Sequence, residues 1–157
     1  MKGGLIITII IPKRLRILIH SYVKKYSPNE TKGALFAKKI NDETFEVEDV
    51  YLEPNIGTFS FVKLYNNKMY RRFCKQYFDK HKGEYHLHNY IGDWHSHPSI
   101  SCNPSYYDIQ EVERDLEKSN AKFLIQIILK DENNKLIGNA FYYNKEVSAK
   151  KIELIIN

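Results

Sequence analysis

Cysteine is scarce in this sequence, and its placement excludes two classes of small protein. The chain has only Cys74 and Cys102, which lie far apart and form no CxxC pair. A disulfide-rich secreted scaffold and a cysteine-rich zinc finger are therefore excluded. The two thiols fit a reducing compartment, so we expect a cytoplasmic protein, with Cys102 as a buried and inert thiol.

Long apolar runs are also missing. The longest run, over 5–11, is about one third of the roughly 20 residues that a membrane-spanning helix needs. Pro12, Lys13 and Arg14 follow it, where a secretion signal would have a small-residue cleavage site. We therefore predict a buried strand here, in a soluble protein that does not associate with membranes.

The size and charge of the chain restrict the number of domains and the kind of partner that we expect. Its 157 residues are the usual size of one globular domain, so we expect a single domain over 1–157. Hydrophobic residues make up 43% of the chain, including 12 Tyr and 8 Phe, which is enough for a core and argues against disorder. The formal net charge of +5 favours an anionic partner, so nucleic acid stays among the alternatives.

The spacing of apolar residues predicts a mixed α/β fold, with helices flanking a β-sheet and no internal repeats. Leu15, Ile19 and Tyr22 recur at helical spacing after a β-branched run. Alternating residues on both sides of an Asn-Asp-Glu turn at 41–43 predict a hairpin. The predicted strands are 6–11, 30–40, 44–52, 86–95, 123–129, 136–143 and 147–156, the predicted helices are 12–26, 68–82 and 105–118, and 54–67 is predicted to be mainly loop.

One short segment carries residue types that bind zinc. His95 and His97 lie two apart in an extended segment, so their side chains face the same way and can both point at one ion. Ser105 and Asp108 lie three apart at the start of the next predicted helix and are therefore neighbours on one face. Asp108 can complete the ligand set beside a hydroxyl, and Ser105 can cap the helix.

A site with three protein ligands leaves a fourth position for water, which distinguishes catalytic zinc from structural zinc. Zinc lowers the pKa of bound water to about 7, but a nearby base must still take and return protons. Glu30 is our candidate, because it begins a predicted strand in which Gly33 permits close backbone approach. Other carboxylates remain as alternatives for the base: Glu43, Glu46, Glu48 and Glu53.

A second histidine pair, His86 and His88, has the same spacing as the first. Only the pair at His95 is followed by Ser and Asp at the required places, a combination expected by chance roughly once in a thousand such sequences. In an unbroken strand over 86–95 the two pairs would face opposite sides. We therefore interpret His86 and His88 as ordinary sheet histidines.

The complete pattern resembles the JAMM motif of the MPN+ metalloproteases. His95-x-His97, seven further residues, Ser105, two residues and Asp108 match that motif without a gap. The predicted order of strands and helices is also similar to the MPN fold over nearly the whole chain. The resemblance implies a layered α/β architecture like that of the cytidine deaminases.

Two further segments carry the same resemblance. The stretch from Glu30 to Leu35 resembles the strand that presents the family's glutamate, and Gly92 and Trp94 match residues that often precede the histidines. The resemblance implies that Glu30 acts as general base and then as general acid. It also implies that zinc is held by His95, His97 and Asp108, and that the hydroxyl of Ser105 steadies the oxyanion.

The activity that the resemblance implies is hydrolysis of an amide or isopeptide bond after the C-terminal tail of a ubiquitin-like protein. The compact chain is similar to stand-alone bacterial JAMM proteins encoded beside E1-like and E2-like enzymes, which would then be partners. Antiphage systems of the CBASS type contain such a deconjugating peptidase, which releases a nucleotidyltransferase from its conjugates. The expected substrate is therefore a protein with an extended C-terminal tail. The long insertions by which many eukaryotic relatives grip ubiquitin are missing, which argues against ubiquitin itself.

The main alternative is a non-catalytic binding module for a ubiquitin-like protein or for nucleic acid. The predicted helix 68–82 mixes basic residues with Tyr70, Phe73, Tyr77 and Phe78, and such a mixture can bind single-stranded nucleic acid by charge and stacking. On a helix, however, these aromatic residues fall largely on one stripe that can be buried. Nucleic acid is therefore not the partner that we expect.

Overall fold

The computed structural model describes residues 6–54 and 67–157, and the predicted loop at 54–67 falls almost entirely outside them. The described residues form the mixed α/β arrangement that the sequence predicts. The strands are β1 (Thr8–Ile11), β2 (Lys32–Asn41), β3 (Thr44–Leu52), β4 (His88–Ser96), β5 (Leu124–Glu132), β6 (Lys135–Tyr143) and β7 (Lys150–Ile156), and the helices are α1 (Lys13–Tyr26), α2 (Lys68–Lys80) and α3 (Tyr106–Lys118).

All of these strands belong to one sheet, in the order β1-β3-β2-β4-β5-β6-β7, which closes because β1 also pairs with β7. β2 and β3 form the predicted hairpin. β4 lies between β2, to which it is antiparallel, and β5, to which it is parallel. The C-terminal end of β4 therefore lies beside the first residues of β2.

Apolar side chains hold the helices on this sheet. α1 buries Leu15, Ile19 and Val23 in the largest cluster, together with residues of β1, β3 and β5. α3 places Val112 and Leu116 in a second cluster against β5 and β6. This packing fixes the first turn of α3 relative to β4, which becomes important for the site.

α2 covers a third, largely aromatic cluster. The rings of Tyr70, Phe73, Tyr77 and Phe78 surround Phe36 of β2, with centroid distances of 6.5, 5.2, 4.8 and 6.2 Å. These aromatic side chains, which could have stacked on nucleic-acid bases, are therefore packed into the protein. This confirms the prediction that α2 is amphipathic and buries its aromatic stripe.

Four predicted strand starts are wrong, and three of them are those of β1, β7 and β4. β1 begins at Thr8 rather than at residue 6, and β7 begins at Lys150 because positive φ at Ala149 interrupts the extended chain. The strand predicted from His86 begins at His88, because the chain before it forms successive turns, and His86 lies exposed in them. None of the described helices is both long and apolar enough to cross a membrane.

The strand predicted from Glu30 also begins later than expected. β2 starts at Lys32, so Glu30 lies two residues before it. The reason lies at Thr31, whose N–H donates to the side-chain oxygen of Ser96 instead of to a strand carbonyl. The regular ladder between β2 and β4 therefore ends at Lys32.

Candidate metal centre

The C-terminal end of β4 brings the two predicted histidines together. Trp94 and Ser96 point into the interior and are 0% exposed. Side chains alternate along an extended chain, so His95 and His97 face the other side. Their Nε2 atoms are 3.0 Å apart.

Asp108 reaches the same point from the first turn of α3. Its Oδ2 atom lies 3.4 Å from Nε2 of His95 and 3.3 Å from Nε2 of His97. Ser105 orients this carboxylate through a reciprocal capping box. The N–H of Asp108 donates to Oγ of Ser105 at 3.1 Å, and the N–H of Ser105 donates to Oδ2 of Asp108 at 2.8 Å. The predicted cap therefore also aims the carboxylate at the histidines.

These three atoms have the spacing of zinc ligands. The sides of their triangle are 3.0, 3.3 and 3.4 Å. Ligands of tetrahedral zinc, with bonds of about 2.0–2.1 Å, lie about 3.3 Å from one another. His95, His97 and Asp108 therefore fit a single tetrahedral ion and leave its fourth position to another group.

The loop after β4 fixes the orientation of His97, which is 2% exposed. Nδ1 of His97 donates to the carbonyl oxygen of Ser101 at 2.8 Å, so the lone pair of Nε2 remains directed into the site. Nδ2 of Asn139 donates to the carbonyl of Cys102 at 3.1 Å and holds the same loop against β6. Cys102 is buried, as predicted, and burial raises the pKa of its thiol.

The electrostatics of the cluster favour a bound cation. Burial raises the pKa of Asp108, but hydrogen bonds with His95 and His97 outweigh this effect and hold the pKa far below its usual value. Burial lowers the pKa of His97, but contacts with Asp108 and Ser101 outweigh that effect and raise the pKa overall. The site therefore concentrates negative charge at a point that two imidazoles also face.

Glu30 lies beside this cluster on the neighbouring chain segment. The carbonyl of Thr31 accepts from the N–H of Ser96 at 2.9 Å, and this pairing places the preceding residue, Glu30, across from His97. The negative charge of Glu30 contributes to the raised pKa of His97. Glu30 is exposed, so it can exchange protons with solvent.

β3 carries or flanks the carboxylates that the sequence left as alternatives to Glu30: Glu43, Glu46, Glu48 and Glu53. β2 lies between β3 and β4, and Glu48 reaches β4 at His88, seven residues before His95. Glu53 is the alternative that bonds to the start of β2, through its N–H to the carbonyl of Lys32. It is 1% exposed, and its carboxylate accepts hydrogen bonds from Nδ2 of Asn67. The geometry thus favours Glu30 as the base.

Gly33 permits the close approach that the sequence predicts, and that approach positions the histidine strand. Gly33 pairs with Trp94, whose Nε1 donates to the carbonyl of Tyr51 at 3.1 Å. A Cβ atom at Gly33 would lie 1.5 Å from that carbonyl oxygen and 2.6 Å from Nε1 of Trp94. The missing side chain therefore leaves room for the indole that anchors β4.

Comparisons with known proteins agree with this fold. The model of a family described as prokaryotic homologs of the JAB domain matches residues 12–141. The solution structure of a protein from Desulfitobacterium hafniense aligns with a TM-score of 0.64 at 20% identity, over 95% of this chain and 92% of that chain. The crystal structure of a JAB1/MPN domain protein from Archaeoglobus fulgidus aligns with a TM-score of 0.50 at 20% identity, over 99% of this chain and 100% of that chain.

A search of curated proteins finds no match to the sequence. At 20% identity the two structural similarities concern the fold alone. The family match, by contrast, spans most of the chain and includes the residues that converge at the end of β4. The chain therefore belongs to the prokaryotic JAB domain family, and its fold is the JAB/MPN fold.

Proposed function

We propose that this protein is a zinc-dependent isopeptidase or peptidase that hydrolyses the amide bond after an extended C-terminal tail of a protein. The observation that carries the proposal is the convergence of His95, His97 and Asp108 on one point, with Glu30 beside it. The family includes many metalloisopeptidases and also non-catalytic members. A non-catalytic member needs neither three ligand atoms at zinc spacing nor a general base such as Glu30 beside them, so this arrangement favours the catalytic alternative.

Each side chain has a defined part in this proposal. Zinc, when held by the two histidines and Asp108, would supply a Lewis acid for the scissile carbonyl and for water. Glu30 takes a proton from the attacking water and delivers it to the leaving nitrogen. Its exposed position lets it then exchange protons with solvent.

In this proposal Ser105 stabilises the oxyanion. Its hydroxyl oxygen accepts the N–H of Asp108, so the hydroxyl proton remains available as a donor. The amino-terminal end of α3, which Ser105 caps, also favours negative charge through the helix dipole. Ser105 therefore combines two functions, orienting the ligand Asp108 and donating to the developing negative charge.

For the biological setting, we propose deconjugation in a bacterial system that attaches proteins through E1-like and E2-like enzymes. The substrate would be a ubiquitin-like protein or a conjugated nucleotidyltransferase, as in CBASS-type antiphage signalling. A tail substrate suits the site, because an extended peptide can reach a reaction centre that lies at the end of a strand.

The proposal is tested by cleavage of tail fusions, in which candidate C-terminal tails are joined to a lysine-containing peptide. The zinc-loaded chain is expected to cleave its cognate fusion, chelation to reduce cleavage to background, and added zinc to restore it. Asp108→Asn should abolish cleavage, whereas Asp79→Asn, on the exposed side of α2, should not. Cleavage that persists after complete zinc removal would contradict the proposal. Tail binding without cleavage would favour the non-catalytic module.

A further inference from the structure

A second cluster of metal-binding residue types lies at the other end of β4. It consists of Glu48 on β3, His81 just after α2 and His88 at the start of β4, and we call it the distal cluster. His88 precedes His95 by seven residues in the same strand, which corresponds to about 23 Å of extended chain. The distal cluster is therefore separate from the site described above.

Two imidazoles and one carboxylate converge in this cluster. Oε2 of Glu48 lies 2.8 Å from Nδ1 of His88 and 3.6 Å from Nε2 of His81. The three ligand atoms all lie within 4.8 Å of one another. The side chains of Glu48, His88 and His81 are 20%, 13% and 16% exposed, so the cluster is largely buried but remains accessible to solvent.

Hydrogen bonding within the cluster does not account for His81. The distance of 3.6 Å from its Nε2 to Oε2 of Glu48 is too long for a hydrogen bond. The rings of His81 and His88 stack at a centroid distance of 3.9 Å and an angle of 14°. Imidazole lone pairs lie in the ring planes, so these rings must tilt towards each other for both nitrogens to bind one cation.

The surroundings of the carboxylate resemble the outer shell of a metal site. The hydroxyl of Tyr77 donates to Oε2 of Glu48 at 2.7 Å, and Tyr77 is 3% exposed. Ligating carboxylates are usually hydrogen-bonded in this way, which fixes their orientation. The distances of 2.8 and 3.6 Å also bracket the spacing of about 3.3 Å between tetrahedral zinc ligands.

We propose that Glu48, His81 and His88 bind a second divalent transition-metal ion, with zinc as the best-fitting metal. Two imidazoles with one carboxylate suit zinc, and partial exposure leaves a fourth position to water. The three ligands come from β3, from the end of α2 and from the start of β4. The ion therefore joins the C-terminal end of α2 to the sheet and stabilises the fold.

The experiment uses the full chain, without an affinity tag, in a background whose first site is disabled by His95→Gln and Asp108→Asn. This background makes the result independent of the proposed hydrolase function. We expect it to bind about one zinc ion per chain in equilibrium titration, and zinc to raise its Tm. Adding His88→Gln should remove both effects.

The matched control is His86→Gln, because His86 lies exposed in the turn that precedes β4. In the same background it should keep both the bound zinc and the rise in Tm. If His88→Gln alters the far-UV circular dichroism of the chain, His81→Gln provides the second test, with the same loss of zinc expected. The proposal is wrong if the background binds no zinc, or if zinc binding survives replacement of a distal histidine in a folded chain.

Discussion

Replacing Glu30 by Gln is expected to lower turnover of a cleavable tail fusion by about 10²–10⁴-fold, the usual contribution of a general acid–base group. Gln has nearly the same shape as Glu but cannot take a proton from water. Glu30 is placed beside His97 by the pairing of Thr31 with Ser96, and it is not one of the three ligands. The zinc content should therefore stay unchanged, and kcat should fall more than KM changes.

The control for this variant is Glu43→Gln, in the exposed turn between β2 and β3. It makes the same chemical change at the opposite end of β2 and should keep full activity. Glu30→Asp offers a second check, because it retains a carboxylate at a shorter reach and should recover part of the rate. An undiminished rate for Glu30→Gln, with normal zinc content, would show that another group acts as the base.

Gly92→Ala is expected to lower the free energy of unfolding by about 3 kcal/mol or more, since backbone strain and overpacking each cost about 1–3 kcal/mol. Gly92 has φ of +147°, and a Cβ atom there would lie 1.7 Å from the carbonyl oxygen of Ile125 on β5. The backbone cannot yield without disturbing the pairing of β4 with β5, which also places His95 opposite Ile128. Urea denaturation of the zinc-free chain measures the loss without a contribution from metal binding.

Gly83→Ala is the matched comparison, because Gly83 also has positive φ, at +67°. The nearest atom to a Cβ atom there is in the ring of Tyr85 at 3.7 Å, which is an ordinary contact. This substitution should therefore cost only about 1–2 kcal/mol, the strain of the left-handed backbone. Equal losses at the two glycines would mean that contact with β5 does not govern Gly92.

The convergence of His95, His97 and Asp108 could be predicted from the sequence because local rules govern it. Alternation in an extended chain is sufficient to point His95 and His97 in one direction. The Ser105 cap places Asp108 in the first turn of α3, three residues later. Only the docking of α3 onto the sheet, through residues such as Val112 and Leu116, was needed to complete the triangle. The order of elements was predicted for the same reason, since hydrophobic periodicity is a local property.

Features that depend on long-range pairing could not be predicted from the sequence. The place of Glu30 follows from the register in which Lys32 lies opposite His95, and periodicity does not contain that register. The sequence therefore left four other carboxylates as alternatives.

The distal cluster could not be predicted from the sequence either, because it also depends on contacts between distant parts of the chain. Its ligands come from three different elements, and His81 gives no signal in the sequence because its neighbours appear only after folding. The interpretation of His88 as an ordinary sheet histidine did not include its contact with Glu48, which lies 40 residues earlier in the chain.

The most direct test of the account is to locate zinc by anomalous diffraction from crystals of the zinc-loaded chain. We expect an anomalous peak about 2.0–2.2 Å from Nε2 of His95, Nε2 of His97 and a carboxylate oxygen of Asp108, with a fourth position occupied by solvent near Glu30. A zinc-loaded crystal with no peak between these three atoms would contradict it, as would a peak whose four ligands are all protein side chains.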